Sequence, residues 1–274
     1  MLILHSKELP FSKFQGAGND FIVIGDLSCN FPCEDEGLIC RLCHRQKGVG
    51  ADGLILVQPS SCADYKMRIF NQDGKEAAMC GNGLRCMVLY LTMHTQNQQS
   101  FSIETLRGVH ECIAEPSGIR TALSTPLIQG WALSLACGYV GYLIDTGVPH
   151  IVIFVSNLHE VDVVNLGRQI RYQESFAPGG VNVNFACIYP SQEIGVRTYE
   201  RGVEGETLAC GTGAAAVAVA ASRLYGISRP VTVLCKSQEK IICHMHEVED
   251  KMTNFFLQGP AQHVFDGKVA LYRL

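Results

Sequence analysis

Residues 206–213 read ETLACGTG, and residues 76–83 read EAAMCGNG. Both stretches follow the pattern E-x-x-x-C-G-x-G, and each runs directly into a segment that is apolar at most positions. These segments are LRCMVLYLTMH at 84–94 and AAAVAVAASRLY at 214–225. A helix that is apolar on nearly every side has to be buried on nearly every side. The sequence therefore predicts two central buried helices, each beginning just after a cysteine.

The cysteines that precede the two helices, Cys80 and Cys210, occupy an unusual place for a thiol. A buried cysteine usually acts as a small apolar residue inside an element. The start of a helix instead carries unpaired N–H groups and the positive end of the helix dipole. Both features favour the thiolate. We therefore expect lowered pKa values for the two thiols and a chemical role for each.

The chain also contains an internal repeat. Residues 18–24 align with 147–153, and 68–71 align with 197–200, in both cases at an offset of 129 residues. The two cysteine motifs align at an offset of 130, so one residue is inserted between Arg201 and Glu206. Three matches in the same order at nearly one offset indicate a duplicated domain.

Outside the two helices the sequence is mostly typical of short strands, which are rich in β-branched residues and bounded by Gly, Pro, Asn or Asp. The predicted strands are IVIGD, LILVQ, YKMRIF, FSIETL, IVIFV, VNFACIY, VTVLC and KIICHMHEV. We expect an α+β fold with two pseudo-symmetric domains, 1–121 and 122–259, each a mixed or antiparallel sheet wrapped round its central helix. The pseudo-twofold relation would set Cys80 and Cys210 facing one another across a cleft.

Composition excludes several classes of function. The 274 residues are 47% hydrophobic and 18% charged, with a net charge of −4 and no basic run, which argues against nucleic-acid binding. The N-terminal sequence lacks the pattern of a secretory signal, and the apolar stretch at 131–144 is interrupted by glycines and predicts paired strands rather than a membrane span. We expect a cytoplasmic protein.

The thirteen cysteines are odd in number and scattered, which favours reduced thiols over a disulfide framework. Cys29, Cys33, Cys40 and Cys43 have spacings that a zinc site could use, and CRLCH at 40–44 matches a haem-attachment pattern. Against both, LICRLCHR reads as a helix with Leu38, Ile39 and Leu42 on its apolar side. We predict no metal, while a cysteine-rich redox sensor or zinc-binding protein remains the non-enzyme alternative.

Two opposed thiols suit a reaction that inverts a carbon centre, because a proton must leave one face and another must arrive on the other. The roles swap with the handedness of the substrate, so near-equivalent environments for the two thiols are expected. The backbone N–H groups at the two helix starts could bind an α-carboxylate and the charge that develops on it. These groups belong to Gly81, Asn82, Gly211 and Thr212. No glycine-rich phosphate loop points to pyridoxal phosphate, so we expect no cofactor.

Several segments resemble the diaminopimelate epimerase family over the whole length of the chain. They are GAGNDF (16–21), GVGADGL (48–54), RIFNQDGKE (68–76), CGNGLRC (80–86), VNVNF (181–185), YERGVEGETLACGTGA (199–214) and FLQGPAQHVF (256–265). The resemblance implies a cofactor-independent isomerase that interconverts LL- and meso-diaminopimelate for lysine and cell-wall synthesis. It also implies that the last strand, at 260–274, returns to the first domain, and we expect a possible homodimer.

The same resemblance implies roles for individual residues. Cys80 and Cys210 match the two acid–base cysteines, and His150 and Glu200 match residues that support catalysis. The substrate-binding positions of the family match Asn19, Asn71, Asn182, Glu200 and Arg201. Val148 departs from the asparagine of the family pattern, which leaves a racemase of another amino acid, such as glutamate or proline, as an alternative.

Overall fold

The computed structural model describes residues 7–135, 138–248 and 251–271. By its contacts the chain divides into two compact units, Met1–Ile119 with Ala261–Leu274, and Arg120–Pro260. Residues 1–6, residues 136–137 of the glycine-interrupted stretch, residues 249–250, and the last three residues of the predicted final strand lie outside the described residues.

In its described part, the first unit consists of strands and two helices. In chain order its elements are β1 (Lys7–Gly16), β2 (Asn19–Gly25), α1 (Glu36–Cys43), β3 (Gly53–Gln58), β4 (Tyr65–Asn71), β5 (Glu76–Ala77), α2 (Gly81–His94), β6 (Ser100–Thr105) and β7 (Gly108–Glu115). Strand β8 (Gly118–Leu123) begins at the end of this unit and continues into the next.

The second unit repeats this series of elements. It contains β9 (Leu127–Ser134), β10 (Val140–Asp145), β11 (Pro149–Phe154), α3 (Val163–Arg171), β12 (Asn182–Ile188), β13 (Ile194–Glu200), β14 (Gly205–Thr207), α4 (Gly211–Tyr225), β15 (Val231–Leu234), β16 (Lys240–Val248) and β17 (Lys251–Gly259). The last strand, β18 (Gln262–Leu271), belongs to the first unit, where it pairs antiparallel with β1.

Strand pairing follows the same order in both units. From β1 to β7 the neighbours β1–β2, β2–β3, β3–β4, β4–β6 and β6–β7 alternate antiparallel, parallel, antiparallel, parallel and antiparallel. The neighbours β10–β11, β11–β12, β12–β13, β13–β15 and β15–β16 show the same alternation. The predicted α+β fold built on a duplication is therefore confirmed.

The sheet of each unit has helices on both faces. On β3, Leu54 and Leu56 pack in the cluster that includes α1, whereas Ile55 and Val57 pack in the cluster round α2. Burial on both faces explains why LILVQ is apolar without alternation. In the second unit, α4 packs in one core cluster and α3 in another.

Both central helices form as predicted, over slightly longer ranges. The run from Ala214 to Ala221 on α4 is buried, and α4 ends at Tyr225, followed by the C-cap Gly226, whose left-handed φ of 63° suits that position. LICRLCHR lies largely in α1, with Leu38, Ile39 and Leu42 buried as predicted. Within the described ranges no helix is both long and apolar enough to cross a membrane.

Candidate active site

Cys80 is the N-cap of α2, and Cys210 is the N-cap of α4. Both residues have extended backbones, with φ of −145° and −129°, and each carbonyl accepts the first hydrogen bond of its helix, from Leu84 and Ala214. The N–H groups of the intervening residues therefore precede the helical hydrogen-bond ladder. As the sequence predicts, each thiol lies at a helix start.

Glycine at the third position of each helix is required by close packing. At Gly83 an added Cβ would lie 2.8 Å from Ile69 Cδ1, and at Gly213 it would lie 2.4 Å from Asn184 Oδ1. Any larger residue would push the first helical turn away from the sheet. The second glycine of each C-G-x-G motif thus allows the helix start, with its cysteine, to lie against the strands.

The motif glutamates form matching ion pairs in the two units. Arg68 donates to Glu76 at 2.8 and 2.7 Å, and Arg197 donates to Glu206 at 2.7 and 3.0 Å. Both pairs are bidentate, which gives the interaction a defined geometry. They fasten β5 to β4 and β14 to β13, and so fix the segments that lead into the cysteines.

Asn19 connects the Cys80 thiol to a charged network in the first unit. Its Oδ1 lies 3.7 Å from Cys80 Sγ and 3.4 Å from Asn82 Nδ2, while its Nδ2 donates to Asp52 at 2.9 Å. Cys80 Sγ also accepts from the N–H of Gly83 at 3.5 Å. Three of the predicted first-half site residues, Asn19, Cys80 and Asn82, therefore lie together.

The network behind Asn19 was not predicted from the sequence, although a signal was present. Asp20 and Asp52 each end a G-x-G-x-D segment, and each carboxylate accepts the backbone N–H of the other aspartate, at 3.0 and 3.2 Å. Arg45 bridges both carboxylates at 2.7 Å, and Lys13 pairs with Asp20 at 2.8 Å. Although burial opposes ionisation, hydrogen bonds from Arg45 and Lys13 hold the pKa of Asp20 well below its usual value.

Cys210 lies in a different environment from Cys80. Its side chain is buried, and Sγ lies 3.5 Å from Thr212 Oγ1. Burial, followed by the nearby negative charge of Glu200, raises the pKa of the Cys210 thiol well above its ordinary value. The prediction of a lowered pKa is therefore wrong for Cys210, because desolvation outweighs the helix terminus. The expectation of near-equivalent thiol environments is wrong for the same reason.

Glu200, Arg201 and Asn182 meet at the end of β13. The Oδ1 of Asn182 accepts the Arg201 backbone N–H at 2.9 Å, and its Nδ2 donates to the carbonyl of Pro149 at 3.1 Å. Arg201 Nη1 reaches the carbonyl of Gly180 at 3.4 Å. Burial raises the pKa of Glu200. Asn182 thus joins β11 to the end of β13 in addition to any contact with a substrate.

His150 is fully buried on β11, opposite Asn182 on β12. Burial lowers its pKa to about 3, so the ring is neutral at physiological pH. Its Nδ1 lies 3.1 Å from Asn184 Nδ2. Asn184 was not among the predicted site residues, although the VNVNF segment contains it.

The remaining predicted residues lie at element ends. Asn71 is exposed at the end of β4, where its backbone closes the turn to Lys75. An added Cβ at Gly81 would meet no atom within 4 Å, so this helix start is open, whereas at Gly211 it would lie 3.3 Å from Leu257. Val148 is half-buried in the turn before β11.

The described thiols outside the two helix starts are not clustered as a metal site would require. The structure describes twelve of the thirteen cysteines, and they are spread over buried, half-buried and exposed positions. Among the described residues, no group of three or more His, Cys, Asp or Glu side chains is placed to hold a metal ion. Cys29 is exposed, whereas Cys43 is buried on α1, where burial raises its pKa to about 12.

The fold is shared with solved structures of low sequence identity. A hydroxyproline epimerase from Agrobacterium vitis aligns with a TM-score of 0.72 at 15% identity, over 99% of this chain and 95% of that chain. A phenazine biosynthesis protein of the PhzF family from Bacillus anthracis aligns with a TM-score of 0.75 at 15% identity, over 97% and 100%. The duplicated sheets, each round a central helix, thus define a fold class that includes epimerases.

Sequence comparison is more specific. The model of the family "Diaminopimelate epimerase" matches residues 11–121 and 142–264. Diaminopimelate epimerases from Archaeoglobus fulgidus and Aquifex aeolicus are each 39% identical, over 97% and 96% of this chain and 98% of each relative. The chain belongs to the diaminopimelate epimerase family, and it is an isomerase of the epimerase type.

Proposed function

We propose that the protein epimerises LL-diaminopimelate to meso-diaminopimelate, a step in making precursors of lysine and peptidoglycan, with Cys80 and Cys210 as the two acid–base groups. The observation that supports this most directly is the pair of cysteine N-caps on equivalent buried helices, in a chain of the diaminopimelate epimerase family. Cys112 and Cys243 also occupy equivalent places, opposite Phe101 and Val231, but both thiols are buried in the cores round α2 and α4 and neither lies at a helix start.

In the proposed reaction one sulfur starts as thiolate and the other as thiol. The thiolate takes the α-proton from one face of the carbon, and the thiol gives its proton to the opposite face. The product leaves the two sulfurs in exchanged protonation states, so the pair shares one proton. Because burial and Glu200 raise the Cys210 pKa, we assign the thiol of the free enzyme to Cys210.

Charge that develops on the substrate α-carboxylate needs donors that are already oriented. The N–H groups of Gly81, Asn82, Gly211 and Thr212 at the helix starts meet that need, and the positive ends of the helix dipoles add to it. This stabilisation replaces what a cofactor would provide. Asn19, Asn71, Asn182, Glu200 and Arg201 are proposed to bind the substrate, and His150 and Glu200 to support the thiols.

The proposal is tested by incubating the purified protein, without added cofactor and after treatment with a chelator, with LL-diaminopimelate in D₂O. Mass spectrometry reads deuterium at the α-carbon, and chiral chromatography reads the meso isomer. We expect both signals with diaminopimelate and little with L-glutamate or L-proline. Exchange with proline or glutamate instead would support the racemase alternative. No exchange with any of the three would refute an epimerase.

A cytoplasmic location and a homodimer also stay predictions. Exposed apolar side chains on β9 and β10, among them Trp131 and Val140, are our candidates for the dimer contact. Light scattering on the wild type and on Trp131→Ser measures the molar mass of each protein and so reports its oligomeric state. An unchanged mass for the variant would place the contact elsewhere, and a monomeric wild type would exclude the dimer.

A further inference from the structure

A buried polar cluster in the second unit replaces an apolar cluster in the first. The polar residues are His150, Asn184 and Thr198, which are 0%, 0% and 3% exposed. At an offset of 129, the matching residues are Phe21, Ile55 and Ile69. All three apolar residues belong to the core round α2. The duplicated fold therefore does not itself require polar side chains at these places.

Strand register shows that these positions are equivalent in space as well as in sequence. Ile55 on β3 lies opposite Ile69 on β4, and Asn184 on β12 lies opposite Thr198 on β13. In each unit a member of the pair also packs against the third residue of the adjacent central helix. Gly83 meets Ile69 and Ile55, and Gly213 meets the Oδ1 of Asn184.

Hydrogen bonds fix the orientation of the Asn184 amide. The carbonyl of Ile151, 3.1 Å away, can only accept, so the neighbouring Asn184 atom is the nitrogen. On the other side the Thr198 hydroxyl donates to Asn184 Oδ1 at 3.0 Å. The second hydrogen of the Asn184 nitrogen is then directed at His150 Nδ1, 3.1 Å away.

An imidazole nitrogen that accepts a hydrogen bond carries no proton, so the proton of neutral His150 lies on Nε2. This Nε2 is buried and has no hydrogen-bond partner among the described residues. Buried polar atoms without partners are rare and often functional. Arg201, the charged residue that acts on His150, further disfavours protonation of the ring.

We propose that Asn184, oriented by Thr198, is a positioning residue that fixes His150 as the neutral Nε2–H tautomer. A neutral N–H can stabilise developing negative charge without giving up its proton. Asn184 lies directly against the first turn of α4, whose N-cap is Cys210, so the tautomer is set beside the proposed acid–base chemistry. This inference rests on the function proposed above.

The test combines a tautomer measurement with kinetics. In protein labelled with ¹⁵N-histidine, long-range proton–nitrogen NMR at pH 7 should show the Nε2–H form of His150 in the wild type. In Asn184→Asp the carboxylate can only accept, so the proton should move to Nδ1. We expect kcat to fall by about 10–100-fold, as for loss of an orienting partner, while KM changes much less.

Thr198→Val provides a second variant that introduces no buried charge. It keeps the side-chain shape, removes the hydroxyl that holds the amide, and should give a mixture of tautomers with a smaller fall in kcat. Thr198→Ser keeps a hydroxyl and should show the wild-type tautomer of His150 and the wild-type kcat. Thr121→Val is the matched control, since Thr121 is an equally buried threonine in the same unit whose hydroxyl bonds instead to the carbonyl of Leu257.

The outcomes separate positioning from damage. The inference is overturned if a folded Asn184→Asp or Thr198→Val protein keeps the Nε2–H tautomer, or if the tautomer changes while kcat does not. A fall in kcat of the same size in Thr121→Val would also overturn it. Absence of α-proton exchange in the wild type would refute the proposed function alone, because NMR reads the tautomer without turnover.

Discussion

His150→Gln should remove a large pH dependence from the stability of the protein. In the folded state burial lowers the His150 pKa to about 3, against 6.5 in an exposed histidine. As pH falls below 6.5, the unfolded chain binds a proton at this residue and the folded chain does not. The contribution of His150 to folding stability is therefore present above pH 6.5 and is lost as pH falls toward 3, at about 1.4 kcal/mol per pH unit.

Between pH 7.5 and pH 5 the expected loss from this histidine is about 2 kcal/mol. For an m-value of about 2 kcal/mol per molar urea, the unfolding midpoint of the wild type should fall by about 1 M more than that of the variant. This pH range also avoids the titration of two folded-state carboxyl groups. The pKa of Asp20 is lowered, and that of Glu204 is lowered to about 2, so both groups take up protons only at more acidic pH.

Glu200 contributes with the opposite sign in the same window. Its pKa is raised by burial, so it takes up a proton in the folded state first and stabilises the fold as pH falls. This contribution is present in both proteins and cancels in the difference between them. The glutamine lowers stability at every pH, but it has no charge to gain.

The assay is urea unfolding of wild type and His150→Gln at several pH values from 7.5 to 5, followed by circular dichroism. The decisive quantity is the slope of the stability difference against pH, since a constant offset carries no information about protonation. Parallel curves would refute the reasoning, because they would mean that His150 takes up its proton equally well in the folded protein.

Three further predictions concern the proposed reaction. Cys80→Ala and Cys210→Ala should each abolish epimerisation. The control Cys86→Ala changes the core round α2, so it should lower stability and leave the turnover rate unchanged. Turnover in Cys80→Ala or Cys210→Ala would contradict two-base catalysis. Iodoacetamide on the substrate-free enzyme at pH 7.5 should modify half-buried Cys80 before buried Cys210, as read by peptide mapping, and the reverse order would contradict the proton assignment. Val148→Asn should raise kcat/KM for diaminopimelate relative to glutamate by about tenfold to a hundredfold, by supplying a polar partner for the distal group; an unchanged ratio would show that residue 148 does not set specificity.

Much of the fold could be predicted because the duplication repeats the sequence pattern of the main elements in both halves of the chain. The strands and the two buried helices follow from local patterns, and the one-residue insertion appears as a longer turn: Phe70 pairs with Glu76, but Tyr199 pairs with Glu206. The motif glutamate is explained only by the structure, where it pairs with an arginine on the neighbouring strand. The spacing of the two residues along the chain does not by itself reveal that pairing.

The chemistry of the site was less predictable, because a pKa depends on burial in three dimensions. The sequence places Cys210 at a helix start, but it does not show that strands and Glu200 surround the thiol. Asn184 was missed for a related reason, because its proposed role depends on which neighbouring atoms donate and accept hydrogen bonds with its side-chain amide. Only the comparison with Ile55, its counterpart in the first unit, shows that a polar residue there is a departure from the duplicated pattern.

The two thiols share a backbone arrangement but differ in burial, and these two features meet different requirements of the proposed reaction. Inversion needs two acid–base groups presented in the same way, and the repeated helix starts with their packed glycines provide this. Catalysis also needs the two groups in opposite protonation states, which two identical environments would leave undetermined. Burial of Cys210 and the nearby charge of Glu200 favour the proton on that sulfur, whereas Cys80 is only half-buried, and contact with solvent can stabilise its thiolate. Side-chain divergence between the halves would thus set where the proton rests before each turnover, while the conserved backbone would set how each thiol is presented.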